Sequence, residues 1–142
     1  MGEPLVAEET LVPIRSETDI VTARQNGRQL ALRLGFSSAH ATLVATAISE
    51  LARNILMYAR SGTVLLQGVE NANRCGMVIV AEDEGPGIAD ISQAIQDGFS
   101  TSGRLGLGLP GVRRLMDDFH IESQSGAGTR VRVRKWIERS VR

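Results

Sequence analysis

From residue 77 the chain reads Met77-Val78-Ile79-Val80-Ala81-Glu82-Asp83-Glu84-Gly85-Pro86-Gly87, an apolar run that passes into an acidic, glycine-rich end. The apolar run predicts a strand, and the Asp, Pro and Gly residues after it favour a tight turn. The carboxylates therefore emerge where a strand ends. A tight turn alone accounts for these residue types, so a binding function depends on what the rest of the chain contains.

Strand and helix patterns continue on both sides of this stretch. In chain order they predict a strand over 8–15, helices over 16–35 and 37–60, strands over 62–69 and 76–81, a short helical stretch over 91–96, a helix over 108–119, and strands over 121–125 and 129–136. Pro13 suggests that the first strand is an edge strand, and the hairpins make the sheet at least partly antiparallel. The predicted fold class is α/β: a two-layer sandwich of a mixed, largely antiparallel sheet with three main helices on one face.

Length and composition narrow the function classes. The chain has 142 residues and a formal net charge of zero, which fits one domain over 1–142. Balanced charge gives no field that favours nucleic acid or an anionic membrane, and no apolar run approaches the roughly 20 residues of a membrane span. The start lacks a secretory pattern, and the single cysteine fits a reducing compartment. We therefore expect a cytoplasmic protein with no nucleic acid and no membrane as partner.

The predicted second helix contains Glu50-Leu51-Ala52-Arg53-Asn54. Glu50 and Asn54 are one turn apart and share a face. That face is nearly opposite the apolar stripe of the helix, which consists of Val44, Ile48, Leu51, Ala52 and Ile55. One interpretation is a solvated face with a Glu50–Arg53 ion pair. The other is a functional pair. Asparagine is a mediocre helix former, so its position in mid-helix favours a functional role for Asn54.

A glycine run follows later as Gly103-Arg104-Leu105-Gly106-Leu107-Gly108, with Gly126-Ala127-Gly128-Thr129 after it. Residues 106–111 spell GxGxxG, but a dinucleotide fingerprint must follow a strand directly, and the polar segment 97–105 precedes this run. Glycines before a helix start still offer free backbone N–H groups and a positive dipole end to an anion. Arg104 is either a solvated surface arginine or a phosphate ligand.

In order and spacing, these motifs resemble the N, G1 and G2 boxes of the GHKL ATPase/kinase superfamily. That superfamily binds ATP without a P-loop lysine, and the only lysine of this chain, Lys135, lies outside all three motifs. The resemblance extends over about 10–136 and implies the GHKL (Bergerat) ATP-binding fold.

The resemblance also implies roles for individual residues at the phosphate side of the nucleotide. Glu50 would act as the general base, and Asn54 would coordinate a Mg²⁺ ion that bridges the phosphates of ATP. Arg104, at the end of the family's ATP lid, would contact the γ-phosphate. Gly106 and Gly108 would present backbone N–H groups to the phosphates.

At the adenine side, the resemblance assigns Asp83 to the adenine amino group. Gly87 would let the backbone approach the ring, with Gly85 as a further nucleotide-binding residue of the same loop. Thr129 would add a hydroxyl near the base.

Within the superfamily, the segments 96–101 and 106–117 are most similar to the stressosome switch kinases. Members of that group phosphorylate Ser or Thr on STAS-domain scaffold proteins and are then released to activate a downstream effector such as a phosphatase. The resemblance therefore implies a serine/threonine-protein kinase that uses ATP and Mg²⁺. Two alternatives remain open: an anti-sigma factor kinase that phosphorylates an anti-anti-sigma factor, and a non-catalytic, nucleotide-gated protein-binding module.

The last predicted strand is basic. Arg130, Arg132 and Arg134 alternate with Val131 and Val133, so the three arginines share one face. A half-exposed strand explains this pattern, and a partner-docking surface is the alternative.

Overall fold

The computed structural model of the chain describes residues 4–87 and 108–138. Its elements are, in chain order, β1 (Leu5–Ile14), α1 (Glu17–Leu34), α2 (Ser38–Ala59), β2 (Gly62–Glu70), β3 (Arg74–Asp83), α3 (Gly108–Leu115), β4 (Asp118–Ser123) and β5 (Thr129–Glu138). The helical stretch predicted over 91–96 and the polar segment 97–105 lie outside the described residues. Among the described helices, none has the length and apolar character needed to cross a membrane.

The strands form a five-stranded sheet in the order β1-β2-β3-β5-β4. All four neighbouring pairs are antiparallel, so the described part of the sheet is antiparallel rather than mixed. Short turns join β2 to β3 and β4 to β5, and such turns permit only antiparallel pairing. With that refinement the predicted α/β sandwich is confirmed, and β3 lies at its centre.

The core lies between one face of the sheet and the helices. The whole predicted stripe of α2 is buried there: Val44, Ile48, Leu51, Ala52 and Ile55. Helix α1 packs closely against α2 at Gly27, where an added Cβ would lie 2.1 Å from Ile48 Cδ1. The two helices are thereby fixed against each other, and α2 holds its polar face in a defined direction.

The predicted helix boundaries around α1 and α2 are confirmed by local contacts. Gly35 ends α1 with a left-handed φ of 103°, a conformation that glycine adopts without a steric penalty. The Ser37 hydroxyl accepts a hydrogen bond from the backbone N–H of His40 at 3.1 Å and caps α2. At the start of α1 the pattern differs, because Ser16 makes no side-chain capping bond and Asp19 Oδ2 accepts from the backbone N–H of Arg15 at 2.9 Å.

Several predicted boundaries are wrong, among them the start of β1, which is Leu5 rather than residue 8. The helix predicted over 108–119 ends at Leu115, and Asp118 and Phe119 begin β4. Phe119 packs against the core from this strand, which apolar spacing alone could not distinguish from a helical position. The strand predicted over 76–81 begins at Arg74, so Cys75 is a buried residue of β3, and its thiol donates to Leu34 O at 3.3 Å.

Strand β1 is at the edge of the sheet, as Pro13 predicts, and β2 is its one partner among the described strands. Its register shifts between Val6 and Glu8, so one extra residue bulges from the ladder. Glu9 Oε1 accepts a hydrogen bond from Gln67 Nε2 of β2 at 3.1 Å.

Candidate active site

Glu50 lies on the side of α2 that faces the beginning of α3. The backbone N–H of Gly108 donates to Glu50 Oε2 at 3.2 Å, and Arg53 Nη1 lies 3.5 Å from Glu50 Oε1. The side chains of Glu50 and Arg53 are only 17% and 27% exposed. The ion pair expected for a solvated face therefore exists, but the face is not solvated, because the start of α3 covers the carboxylate.

This arrangement places an anionic group at the N-terminus of a helix, where backbone N–H groups and the helix dipole favour negative charge. Gly108 has a φ of +58°, which suits a glycine at the sharp entry into α3. The predicted anion-favouring helix start is thus present, and Glu50 is the anion that occupies it. Arg104 and Gly106, the other residues predicted for this side, lie outside the described residues.

Asn54 follows one turn later on α2 and is half-buried. Its carboxamide makes no hydrogen bond with any residue in the described ranges. An amide oxygen in this position has free acceptor capacity, which suits a hard cation. No cluster of three or more His, Cys, Asp or Glu side chains forms a metal site in the described ranges, so a cation here would need further ligands from a bound molecule or water.

Asp83 and Thr129 face each other across the β3–β5 ladder. Asp83 Oδ1 accepts a hydrogen bond from the backbone N–H of Gly85 at 2.9 Å. The Thr129 hydroxyl lies 2.8 Å from the Ser123 hydroxyl, which in turn donates to the carbonyl of Gly128 at 2.9 Å. The structure thus brings together the carboxylate and the hydroxyl that the sequence assigns to the same recognition task.

The loop after β3 is wedged between α2 and the β4–β5 turn. An added Cβ would lie 2.5 Å from Ala59 Cβ at Gly85, 2.0 Å from Gln124 O at Gly87, and 2.3 Å from Asp83 O at Gly128. Gly87 and Gly128 also have left-handed φ values of +78° and +88°. Gly87 and Gly128 allow backbone to meet backbone, and Gly85 allows the loop to lie against Ala59. The hydrogen bond from the Gly85 N–H then holds the Asp83 carboxylate. The approach of the Gly87 backbone to an adenine ring stays a prediction.

Sequence reasoning missed two contacts of the site. The donor to Glu50 is Gly108, 58 positions away, and no local sequence pattern predicts that hydrogen bond. Ser123, which orients Thr129, could have been suspected from its place at the end of the predicted hairpin. Only its register opposite Thr129 makes it relevant.

Comparisons with known proteins identify the family of this chain. Residues 13–135 match the family model of the histidine kinase-like ATPase domain. The chain is 50% identical over 130 residues to the serine/threonine-protein kinase RsbT of Bacillus subtilis, an alignment that covers 92% of this chain and 98% of that protein. It is 32% identical over 100 residues to the anti-sigma F factor of Thermoanaerobacter sp. (strain X514), covering 66% of this chain and 68% of that one.

Among solved structures, the RsbU and RsbW domains of Rv1364c from Mycobacterium tuberculosis superimpose with a TM-score of 0.63 at 15% identity, covering 96% of this chain. The chain spans about a third (34%) of that structure's chain, and the likeness concerns the fold alone. All of the residues assigned to the site fall inside the range that matches the family model.

Proposed function

This chain belongs to the histidine kinase-like ATPase domain family and is an ATP-dependent serine/threonine-protein kinase, and we propose that its substrates are STAS-domain scaffold proteins of a bacterial stressosome. After phosphorylating them on Ser or Thr, the kinase is released and activates a downstream effector such as a phosphatase. The similarity to RsbT over nearly the whole length of both chains supports the proposal.

The observation that carries the catalytic part is the position of Glu50. Its carboxylate is largely buried, is held by Arg53 and the Gly108 N–H, and stands one turn from a half-buried amide without a partner in the described chain. In the proposed reaction Glu50 accepts the proton of the incoming Ser or Thr hydroxyl. The contacts to Arg53 and Gly108 hold the carboxylate in place, so that its orientation is set before a substrate arrives.

The residues present also fit a nucleotide and a cation. Bound MgATP supplies the phosphoryl group and the counter-charge for its transfer. Asn54 would hold the Mg²⁺, since its amide oxygen is free of hydrogen bonds to the described residues and Mg²⁺ takes few protein ligands.

On the base side, Asp83 would accept a hydrogen bond from the adenine amino group and Thr129 would contribute its hydroxyl. Gly85 and Gly87 would form the loop beneath the base. Gly106 would present its backbone N–H group to the phosphates, and Arg104 would contact the γ-phosphate. Gly108 would do the same only by exchanging its hydrogen bond to Glu50 for one to a phosphate.

The direct test incubates the full chain with radiolabelled ATP and a purified STAS-domain protein. We expect label on the STAS protein that survives acid, because a phosphate ester of Ser or Thr is acid-stable and phosphohistidine is acid-labile. Acid-labile label, or label on the kinase chain alone, would overturn the proposal.

The metal assignment needs its own measurement. Titration of Asn54→Ala with ATP, with and without Mg²⁺, should show a loss of affinity only when Mg²⁺ is present. The fold should not suffer, because alanine is the better helix former. An equal loss in both conditions would mean that Asn54 does not bind the metal.

An anti-sigma factor kinase is the second candidate, favoured by the 32% identity to an anti-sigma F factor. It differs from the first by its partners: a sigma factor would bind the chain directly, and an anti-anti-sigma factor would be phosphorylated. A non-catalytic, nucleotide-gated binding module would transfer no phosphate to either protein. Retention of Glu50 weighs against that third function, because binding alone does not need a base.

A further inference from the structure

The end of the sheet remote from Asp83 contains an open cavity of about 390 Å³. It is lined by Arg74, Asp117, Asp118, Arg134, Trp136 and Ile137. Trp136 lies over Gly76 of the neighbouring strand, where an added Cβ would be 2.6 Å from the indole atom Cε3. Such a Cβ would also lie 2.5 Å from Lys135 O, so glycine at this position leaves room for both the backbone and the indole of β5.

Two arginines flank this indole. The guanidinium carbon of Arg74 lies 3.9 Å from the ring centroid, and that of Arg134 lies 5.8 Å from it. Both distances are within the range of attraction between a cation and an aromatic face. Stacking orients each guanidinium plane and reduces the entropy lost when it binds an anion.

The two carboxylates of the cavity are already engaged. Asp117 Oδ2 accepts from the backbone N–H of Trp136 at 2.8 Å, and its Oδ1 lies 3.7 Å from Lys135 Nζ. Asp118 Oδ2 accepts from Arg134 Nε and from the indole Nε1 of Trp136, both at 3.1 Å. The acids of the cavity therefore have cationic or N–H partners within the protein.

The arginines, in contrast, retain unused donors. Within residues 4–87 and 108–138, the Arg74 guanidinium has no carboxylate partner, and Arg134 uses only its Nε. Arg132, on the same face of β5, also makes no ion pair with a described side chain. The result is an open cavity whose acids are engaged and whose arginines have guanidinium nitrogens without a partner among the described residues.

We propose that this cavity binds a carboxylate side chain from an acidic segment of a partner protein. A guanidinium fork matches a carboxylate with two parallel hydrogen bonds, and two such forks border one ring. The engaged Asp117 and Asp118 disfavour a phosphorylated side chain, which brings a charge of about −1.5 to −2 next to them, more than a carboxylate does. Of the arginine face predicted from the alternation of β5, Arg134 lines this cavity, whereas Arg130 pairs with Glu82 and Glu122.

The cavity is separate from the active site. Arg74 and Asp83 are the first and last residues of the 10-residue strand β3, which spans about 30 Å. The inference goes beyond the proposed kinase function and does not depend on the identity of its substrate. Substitution of Arg74 should accordingly leave the affinity for ATP unchanged.

The test uses the full chain and its own fluorescence. Trp136 is the only tryptophan, so a change in tryptophan emission reports on this cavity alone. Titration with a short oligo-glutamate peptide should change the emission to saturation, and the change should weaken as salt is added. Arg74→Gln should bind the peptide about tenfold more weakly, the loss expected for one charge-assisted, bidentate contact.

The matched control is Arg24→Gln, which removes the same charge from an exposed position of α1. It should bind the peptide as the parent chain does. Equal weakening by both variants would show only general charge attraction and overturn the site. The proposal also fails if the peptide leaves the emission unchanged, or if a phosphoserine peptide or poly-uridine RNA binds more tightly than the oligo-glutamate peptide.

Discussion

The two ends of the β3–β5 pair use the same ladder in opposite ways. We call one the glycine end, formed by Asp83, Gly85, Gly87, Gly128 and Thr129, and the other the tryptophan end, formed by Arg74, Gly76, Asp118, Arg134 and Trp136. At the glycine end, backbone approaches backbone and leaves the polar side chains accessible. At the tryptophan end, Gly76 makes room for an indole as well as for the backbone of Lys135, and side chains bind side chains.

The difference teaches that one pair of strands can present two surfaces of different character, because the residues at its two ends differ in side-chain size. In the loop after β3, Gly85 donates its N–H to Asp83 and Gly87 has a left-handed φ, so the loop supports a single carboxylate. An indole with two cations makes a broad surface with outward donors. If the comparison holds, substitutions beside the glycine end should affect phosphotransfer and those at the tryptophan end should not.

The largest effect should come from Glu50→Gln on α2, whose last residue, Ala59, contacts the glycine end. Loss of a positioned base typically costs about 10² to 10⁴ in rate, while ATP binding should persist. The measurement is the initial rate of phosphotransfer to the STAS protein. Glu17→Gln, at an exposed position of α1, is the control and should be fully active. Normal transfer by Glu50→Gln would make Glu50 a structural residue of the α2–α3 contact.

The next effect concerns stability at the glycine end. Gly87→Ala must adopt a left-handed φ and would place a Cβ 2.0 Å from a backbone oxygen, so we expect a loss of roughly 2–4 kcal/mol in the free energy of unfolding. Gly126→Ala has a similar φ of +81° but no described heavy atom within 4 Å of its Cβ, so about 1 kcal/mol should be lost. Denaturant unfolding measures both. Equal losses would show that φ alone matters, and that the backbone contact with Gln124 does not.

A smaller effect concerns nucleotide choice. The parent chain should prefer ATP to GTP, because guanine presents a carbonyl where adenine presents an amino group. Asp83→Ala should weaken ATP binding by roughly 10- to 100-fold, the range for one unmade hydrogen bond in a partly buried site. Glu82→Ala, which alters the neighbouring residue on the opposite face of β3, should bind ATP normally. Similar affinities of the parent chain for ATP and GTP would refute the role of Asp83.

The smallest effect should come from Asp118→Asn at the tryptophan end. The amide keeps an acceptor for Arg134 and Trp136 but loses the charge, so about 1 kcal/mol of stability should be lost. Tryptophan emission should shift, and phosphotransfer should stay at the parent rate. A loss of phosphotransfer in this variant would contradict the expectation that the tryptophan end takes no part in phosphotransfer.

Much of the fold could be predicted from the sequence because its signals are local. The stripe of α2, the glycine stop of α1 and the two hairpins each depend on neighbours within a few residues. The start of β4 could not be predicted in the same way. Asp118 and Phe119 continue a helical spacing, and their strand state comes from pairing with Arg134 and Val133 of β5.

In the candidate site, too, the features with local sequence signals could be predicted and those that depend on long-range packing could not. The roles of Glu50, Asn54, Asp83 and Thr129 were predicted from motifs and stay predictions. The register of β3 with β5 places Asp83 and Thr129 opposite each other. The cover over Glu50 was not predicted, since it depends on how α3 packs against α2. The pocket around Trp136 was missed because its parts are single residues on separate strands that no motif joins.

The bulged edge strand β1 has a consequence for handling the protein. Leu5 and Leu11 are 76% and 58% exposed on a strand with β2 as its one described partner, and such edges can recruit strands of other molecules into aggregates. The register shift between Val6 and Glu8 interrupts the flat ladder, and Pro13 lacks a backbone N–H donor. The side chains of Glu8 and Glu9 carry negative charge that repels a copy of the same strand. These features hinder edge-to-edge pairing and so favour solubility. Deleting Ala7, the extra residue of the bulge, should therefore lower the concentration at which the protein precipitates.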